Sequence, residues 1–303
     1  MDVQSYSRVG NDHRGTHVRK NIYTRDVCIQ NITIPNEANH RLIQVLNGGS
    51  PVDLLLGVFQ KIADLDDTNL AQKPSLLRDV LEENKKYDCD HLCWRCASKE
   101  EYIKICSLLK SGDSYGELLI ESMIQGRPIA TFKFREPVKV DVKFAILDPE
   151  ITNDTINGAS EGNCKEMRTK SHCSSGTILP SLTYHRQFEI RCIEVPAPKP
   201  GRSYESGWEH VEFAIGYSGE DLKRFVGRTK NYINWDYGGY TKEVNGDVAV
   251  SFEFDTSPAT SSNVMKRSKG CVKFHEQPLD EVIAWEKASG HVQNIPDDYF
   301  SKQ

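Results

Sequence analysis

Two stretches of the chain place a histidine within an alternating run of polar and apolar residues. In residues 207–215 the alternation predicts a strand on which His210 and Glu212 share one face. Residues 90–95 again set a histidine, His91, after an acidic residue and before further alternation. Imidazole and carboxylate groups on one strand face can bind a metal ion or transfer a proton. We interpret the two stretches as a weak internal repeat.

The same alternation assigns the neighbours of His210 to faces. It predicts that Trp208 lies on the face of His210 and that Glu209 lies on the opposite face with Val211 and Phe213. The sequence therefore assigns one carboxylate, Glu212, to the histidine face of this strand.

Composition limits the classes of partner. The 303 residues carry a formal charge of -5 with well-mixed signs, so no basic surface for nucleic acid is expected. No run reaches the roughly 18 apolar residues of a membrane helix, and residues 1–20 have no apolar signal-peptide core. We therefore expect a cytoplasmic protein with a small-molecule substrate, no membrane partner and reduced cysteines.

The chain divides into four predicted parts. Residues 1–50 are polar without a sustained period and are expected to form a flexible arm, and 51–86 have the spacing of amphipathic helices. Residues 87–195 read as strand, helix and three strands, with a polar insertion at 148–185. Residues 196–290 repeat that order and end in a C-terminal helix. The order predicts a duplicated βαβββ unit in which 231–243 supplies one loosely defined strand.

The duplicated unit and several motifs resemble a known family. They are similar to the bacterial YecM family, and the paired modules resemble the vicinal-oxygen-chelate superfamily of glyoxalase-like isomerases and extradiol dioxygenases. The resemblance implies an α+β fold with a curved, mostly antiparallel eight-stranded sheet around a central cavity. It covers roughly residues 87–287. The motifs are Asp90-His91, 121–129, 132–137, 193–196, 202–204, 207–212 and 273–275.

The resemblance also implies a metal site. In such a fold His91, Glu194, His210 and His275 line the inside of the sheet and converge on one divalent transition metal, Zn, Ni, Mn or Fe. A one-residue shift of register would replace His275 with Glu276. Without His275, the remaining two histidines and one carboxylate would suit an Fe(II) dioxygenase.

Three further residues complete the candidate site. Glu212 is either a general base beside the metal or a carboxylate that orients an imidazole. Arg127 and Arg135 are candidates for holding an anionic substrate. These assignments favour a metal-dependent isomerase or lyase. The alternative is a non-catalytic module that binds a small molecule or a partner.

The cysteines near His91 raise the alternative of an iron–sulfur cluster site. Cys89, Cys93 and Cys96 have the spacing of thiols that hold an iron–sulfur cluster. Such thiols belong on a loop, whereas this run alternates as a strand, with Cys89 and Cys93 on the face of His91. We therefore expect packing thiols.

Overall fold

The computed structural model describes residues 22–23, 27–34, 45–46, 50–67, 76–81, 87–111, 116–146, 183–242, 245–256 and 266–301. The α-helices with defined bounds are α1 (Pro51–Asp67), α2 (Leu76–Leu81), α3 (Lys99–Lys110), α4 (Leu222–Thr229) and α5 (Leu279–Ser289). The strands are β1 (Ile22–Tyr23), β2 (Val27–Thr33), β3 (Asp88–Arg95), β4 (Gly116–Ile124), β5 (Arg127–Ile146), β6 (Thr183–Pro196), β7 (Gly207–Ala214), β8 (Asp247–Thr256) and β9 (Lys266–His275).

The nine strands that can be traced in these ranges form one curled sheet. Their order is β1-β2-β5-β6-β3-β7-β9-β8, and β4 pairs with the first half of β5. Among the strands of the described residues, only β3–β6 and β7–β9 are parallel pairs. The α+β class and the curled, mostly antiparallel sheet, a half-barrel, are thus confirmed.

The two faces of the sheet differ in composition because side chains alternate along each strand. One face carries the hydrophobic core and packs against α1, whose Gly57 lies directly against Phe252 and Phe254. The core at the centre of the sheet includes Leu92, Ile193, Val211, Phe213, Val272 and Phe274. The residues next to these along the strands, among them His91 and His210, therefore point to the other face, which we call the site face.

Several local signals read from the sequence are confirmed. The sequence Ser98-Lys99-Glu100-Glu101 predicts the start of a helix, and in the structure the Ser98 hydroxyl at the start of α3 accepts a hydrogen bond from Glu101 N at 3.2 Å. The pair Gln125-Gly126 predicts a tight turn, and it does connect β4 to β5, with φ of 50° and 79°. Both helices expected in 51–86 are present as α1 and α2.

The N-terminal part is not a free arm where the structure describes it. Strand β2 pairs with the second half of β5, from Val27 opposite Ile146 to Thr33 opposite Asp141. Its apolar side chains Ile29 and Ile32 are fully buried. The expectation of a flexible arm at 1–50 is therefore wrong for 27–34. The strand there is short, its neighbours in sequence are polar, and it is stabilised by pairing with a distant strand.

The second half of the chain departs from the predicted repeat. Residues 231–242 form turns and a single bridge, Asp236 to Ala249, beyond the edge strand β8, so the strand expected at 231–243 is not formed there. The first half does follow the order β3, α3, β4, β5, β6. The described residues thus do not confirm a complete second βαβββ unit.

The predicted insertion at 148–185 extends too far at its C-terminal end. Strand β6 begins at Thr183, which lies opposite Ala145, so residues 183–185 belong to the sheet. Residues 147–182 lie outside the described residues. Among the described helices, none is long and apolar enough to cross a bilayer.

Candidate metal centre

Two β-bulges in the central pair of strands build the site. Between β3 and β7, Cys89 pairs with Phe213 and His91 with Glu212, so Asp90 is an extra residue on β3. A bulge inserts one residue, bends the strand and re-aims its neighbours. His91 thus directly follows an extra residue in the strand pairing, which strict alternation does not predict.

The second bulge lies on the facing strand. Cys93 pairs with His210 and Trp94 with Trp208, which leaves Glu209 extra on β7. Trp208 therefore packs edge-on against Trp94, with ring centroids 5.1 Å apart, in the hydrophobic core. The predictions that Trp208 shares the face of His210 and that Glu209 opposes it are wrong for this reason.

Four side chains converge on the site face. His91 Nε2 lies 3.5 Å from Glu212 Oε1 and 3.7 Å from Glu194 Oε2. His210 Nε2 lies 3.1 Å and 3.5 Å from the same two oxygens. The four donor atoms all lie within 4.8 Å of one another, and we call these residues the four-donor group. Two imidazoles and two carboxylates suit Zn, Mn, Fe or Ni.

Asp90 orients the His91 ring so that Nε2 faces the other donors of the site. Asp90 Oδ2 lies 2.8 Å from His91 Nδ1 and also accepts the Leu279 N–H at the start of α5, at 3.1 Å. Because a carboxylate accepts, a neutral His91 carries its hydrogen on Nδ1 and has a free lone pair on Nε2. That Nε2 is buried without a hydrogen-bond partner. A bound cation would satisfy it, so the residues fit a metal.

Electrostatics favour a cation here. Burial by itself would lower the pKa of His91, but the carboxylates of Glu212 and Glu194 outweigh it and raise that pKa well above its ordinary value. Burial likewise opposes ionisation of Glu194, yet His91 and His210 hold its pKa at about 2. Burial also opposes ionisation of Glu212, but Lys273 and His91 outweigh it and hold the pKa of Glu212 well below its ordinary value. Both carboxylates are thus negative at neutral pH and create a field that attracts positive charge.

Lys273 is an unpredicted member of the site. Its ammonium donates a hydrogen bond to Glu212 Oε1 and lies 3.4 Å from His210 Nε2. Burial opposes the charge of Lys273, but Glu212 and Glu194 outweigh it and raise its pKa. The lysine therefore carries a positive charge at neutral pH beside the four-donor group.

His275 lies next to the four-donor group rather than within it. Its Nε2 is 3.8 Å from Glu212 Oε2 and 3.5 Å from Asp90 Oδ2. Its Nδ1 lies 2.8 Å from Asn245 Nδ2. Glu276, the alternative to His275, turns away and accepts a hydrogen bond from Leu222 N at 3.3 Å. Between these two candidates, His275 is the one that faces the site.

The orientation of Asn245 defines the tautomer of His275. Asn245 Oδ1 accepts the Gln277 N–H at 3.0 Å, and Asn245 Nδ2 donates to Gln277 O at 3.1 Å. With the amide oriented in this way, Nδ2 also donates to His275 Nδ1, so the hydrogen of a neutral His275 lies on Nε2. That Nε2 points towards the two nearby carboxylates.

A group of arginines flanks the other side of His210. Arg95 donates to both oxygens of Glu209, its Nε at 2.9 Å from Oε2, and its guanidinium stacks 5.0 Å above the Tyr204 ring. Arg127 Nη2 is 3.9 Å from Glu209 Oε2, and its Nε is buried without a hydrogen-bond partner. Cys93 Sγ lies 3.8 Å from the same carboxylate. We call Arg95, Arg127 and Glu209 the arginine subsite.

The remaining predicted residues are elsewhere. Arg135 is exposed on β5 between Lys133 and Val138, where pairing with β6 is interrupted. Cys89 and Cys96 belong to the hydrophobic core, whereas Cys93 faces the site. Cys89 and Cys93 thus lie on different sides of β3, because the bulge at Asp90 removes Cys89 from the face of His91.

Comparison with known proteins places the chain in a family. The family model described as YecM protein matches residues 68–286. The chain belongs to the YecM family. It is 24% identical to Protein YecM of Escherichia coli (strain K12) over 203 residues, which are 66% of this chain and 79% of that protein.

A solved structure is also similar. The chain titled "Structural Genomics, Protein EC4020" aligns with 82% of this chain and 95% of its own length, at 18% identity and a TM-score of 0.39. The matched YecM region includes both bulged strands and every member of the four-donor group.

Sequence reasoning missed the roles of Asp90, Glu209, Lys273 and Asn245 in this YecM-family site. One signal was available for the first two, since an acidic residue precedes each of the two histidines. The bulges that bring those carboxylates to the site face have no comparable sequence signal. Lys273 and Asn245 are brought to the site only by strand pairing and by the loop after α4.

Proposed function

We propose that this YecM-family chain binds one divalent transition metal through His91, Glu194, His210 and Glu212. The observation that carries this proposal is the buried Nε2 of His91, which has no hydrogen-bond partner and faces two ionised carboxylates. An unsatisfied buried nitrogen costs stability, and a bound cation removes that cost.

The fold-level part of the proposal is a vicinal-oxygen-chelate protein built from paired modules. The parallel pairs β3–β6 and β7–β9 flank the central antiparallel pair β3–β7 and support such an arrangement. A divalent metal in the site would act as a Lewis acid towards two neighbouring oxygens of a substrate.

The proposed activity is that of an isomerase or lyase on a small oxygenated anion. Glu212 is the carboxylate that we assign to proton transfer, since its Oε2 faces His275 rather than the two imidazoles that contact Oε1. The arginine subsite supports an anionic substrate, because two guanidinium groups there share one carboxylate.

Metal analysis tests the metal-binding proposal. Protein purified without chelators is expected to carry close to one divalent transition metal per chain by elemental analysis. His210→Ala is expected to lose it. His185→Ala is the matched control, because His185 is an exposed histidine on β6 that pairs with Asp141 away from the site. Wild-type protein that takes up none of Zn, Mn, Fe or Ni would refute the proposal.

A further inference from the structure

Lys273 occupies the counterpart of the Glu194 position. In the first parallel pair, Glu194 lies opposite Cys93, two residues after His91. In the second, Lys273 lies opposite Glu212, two residues after His210. The strand register thus relates the two positions, and an amine stands where the first pair supplies a carboxylate.

The ammonium of Lys273 contacts the same atoms that the proposed metal requires. Lys273 Nζ meets Glu212 Oε1 and lies 3.4 Å from His210 Nε2, while those two atoms are 3.1 Å apart. Metal–ligand distances for such donors are about 2.0–2.2 Å. A metal bound to both atoms and an ammonium in contact with both exclude each other by size and by charge.

The side chain of Lys273 is able to leave these contacts. It is 24% exposed, so it opens to solvent on one side, and its four-carbon stem is flexible. The next carboxylate, Asp247, already pairs with Lys242. A largely buried charge is costly unless it is paired. An anion in the site is the partner that satisfies it.

We propose that Lys273 is the anion-binding residue of the site: when the four-donor group takes a divalent metal, the ammonium leaves Glu212 and pairs with an anionic oxygen of the substrate. The inference rests on the proposed metal site. Under this inference the substrate is a small anion with two adjacent oxygens, one of which forms an ionic contact with Lys273.

Titration calorimetry with Zn²⁺ and then with oxalate tests the inference. Oxalate is the probe because its adjacent oxygens are anionic. The variants are Lys273→Met, which keeps the stem without the charge, and Lys273→Arg, which keeps the charge. Lys269→Met is the matched control, since Lys269 is an exposed lysine on the same strand.

We expect Lys273→Met to bind Zn²⁺ at least as tightly as wild type, because a competing cation is removed. Oxalate binding to the Zn²⁺-loaded variant is expected to weaken by about 10- to 100-fold, as for loss of one charge-assisted hydrogen bond. Lys273→Arg is expected to recover part of that loss, and Lys269→Met to behave as wild type.

Two results would overturn the inference while leaving the metal site standing. The first is oxalate affinity in Zn²⁺-loaded Lys273→Met within about twofold of wild type, a difference too small for a lost ionic contact. The second is loss of Zn²⁺ binding in Lys273→Met, which would make the lysine a support of the ligands. Wild type that binds no Zn²⁺ in the first titration refutes the metal proposal and this inference together.

Discussion

Asp90 Oδ2 lies 2.8 Å from His91 Nδ1 and fixes the ring so that Nε2 faces the two glutamates. Carboxylate–imidazole pairs of this kind orient metal ligands and raise their basicity. The start of α5 holds Asp90 in turn, through the N–H of Leu279. A helix near the C-terminus therefore positions a ligand on β3.

Replacing Asp90 with asparagine is expected to weaken metal binding by about 10- to 100-fold, because the orientation of His91 is lost while its nitrogen remains. Competition with a chromogenic chelator measures the affinity. Asp88→Asn is the control on the same strand, since the carboxylate of Asp88 is more exposed and faces Arg186. Equal affinities in the two variants would contradict this role of Asp90.

His275→Ala is expected to keep one metal per chain while lowering its affinity by about 10-fold or more. The tautomer imposed by Asn245 places a hydrogen on His275 Nε2, which lies 3.8 Å from Glu212 Oε2, so this nitrogen has no free lone pair for the metal. Elemental analysis gives the stoichiometry, and chelator competition gives the affinity. Complete loss of metal, as expected for His210→Ala, would make His275 a ligand, as the resemblance to the family implied.

Glu209 is expected to make stability dependent on acid pH. Burial opposes its ionisation, but Arg95, His210 and Arg127 outweigh that effect and lower its pKa. A carboxylate with a depressed folded-state pKa stabilises the fold above its unfolded value of about 4.3, and this contribution is lost as the pH falls through the folded value.

Urea unfolding of wild type and Glu209→Gln between pH 7 and pH 3 measures this contribution. The variant is expected to be less stable at pH 7 and to approach wild type as the pH falls. Glu117→Gln, at an exposed glutamate on β4, is the control. A difference between wild type and Glu209→Gln that does not change with pH would contradict the expectation.

Strand β2 is expected to be part of the stable fold. Ile29→Ala should lower the free energy of unfolding by about 2–5 kcal/mol, as for other buried isoleucines, because Ile29 is fully buried beneath the sheet edge. Gln30→Ala, on the adjacent and partly exposed position, is expected to change it little. Urea denaturation measures both. Equal changes in the free energy of unfolding for the two variants would show that the buried side of β2 does not stabilise the fold.

The polar segment between β5 and β6 is expected to be dispensable. Strand β5 ends at Ile146 and β6 begins at Thr183, with Ala145 opposite Thr183, so replacing 148–180 with Asn-Gly would join the two strands by a short connection. The sequence of the segment is too polar to bury a face, and a shorter loop costs less closure entropy. The melting temperature should therefore remain nearly unchanged. A large decrease would show that the segment packs.

Local pattern determined much of this protein. Alternation identified the strands of His91, His210 and Glu212, and three- and four-residue spacing identified α1, because each pattern reports which side of a single element is buried. Cap and turn residues such as Ser98 and Gly126 determined element ends for equally local reasons. The pairing of His91 and His210 on one face followed from these patterns and from the resemblance to the family.

Only the tertiary structure decided the rest, because it depends on register between distant strands. A bulge reverses the faces of the residues on one side of it relative to those on the other side. The two bulges therefore placed Glu209 at the site and left Trp208 and Cys89 in the core. The parallel pairing of β7 with β9 brought Lys273, and not His275, level with Glu212. No local window of sequence contains that information, since Glu212 lies 61 positions before Lys273 and 121 positions after His91.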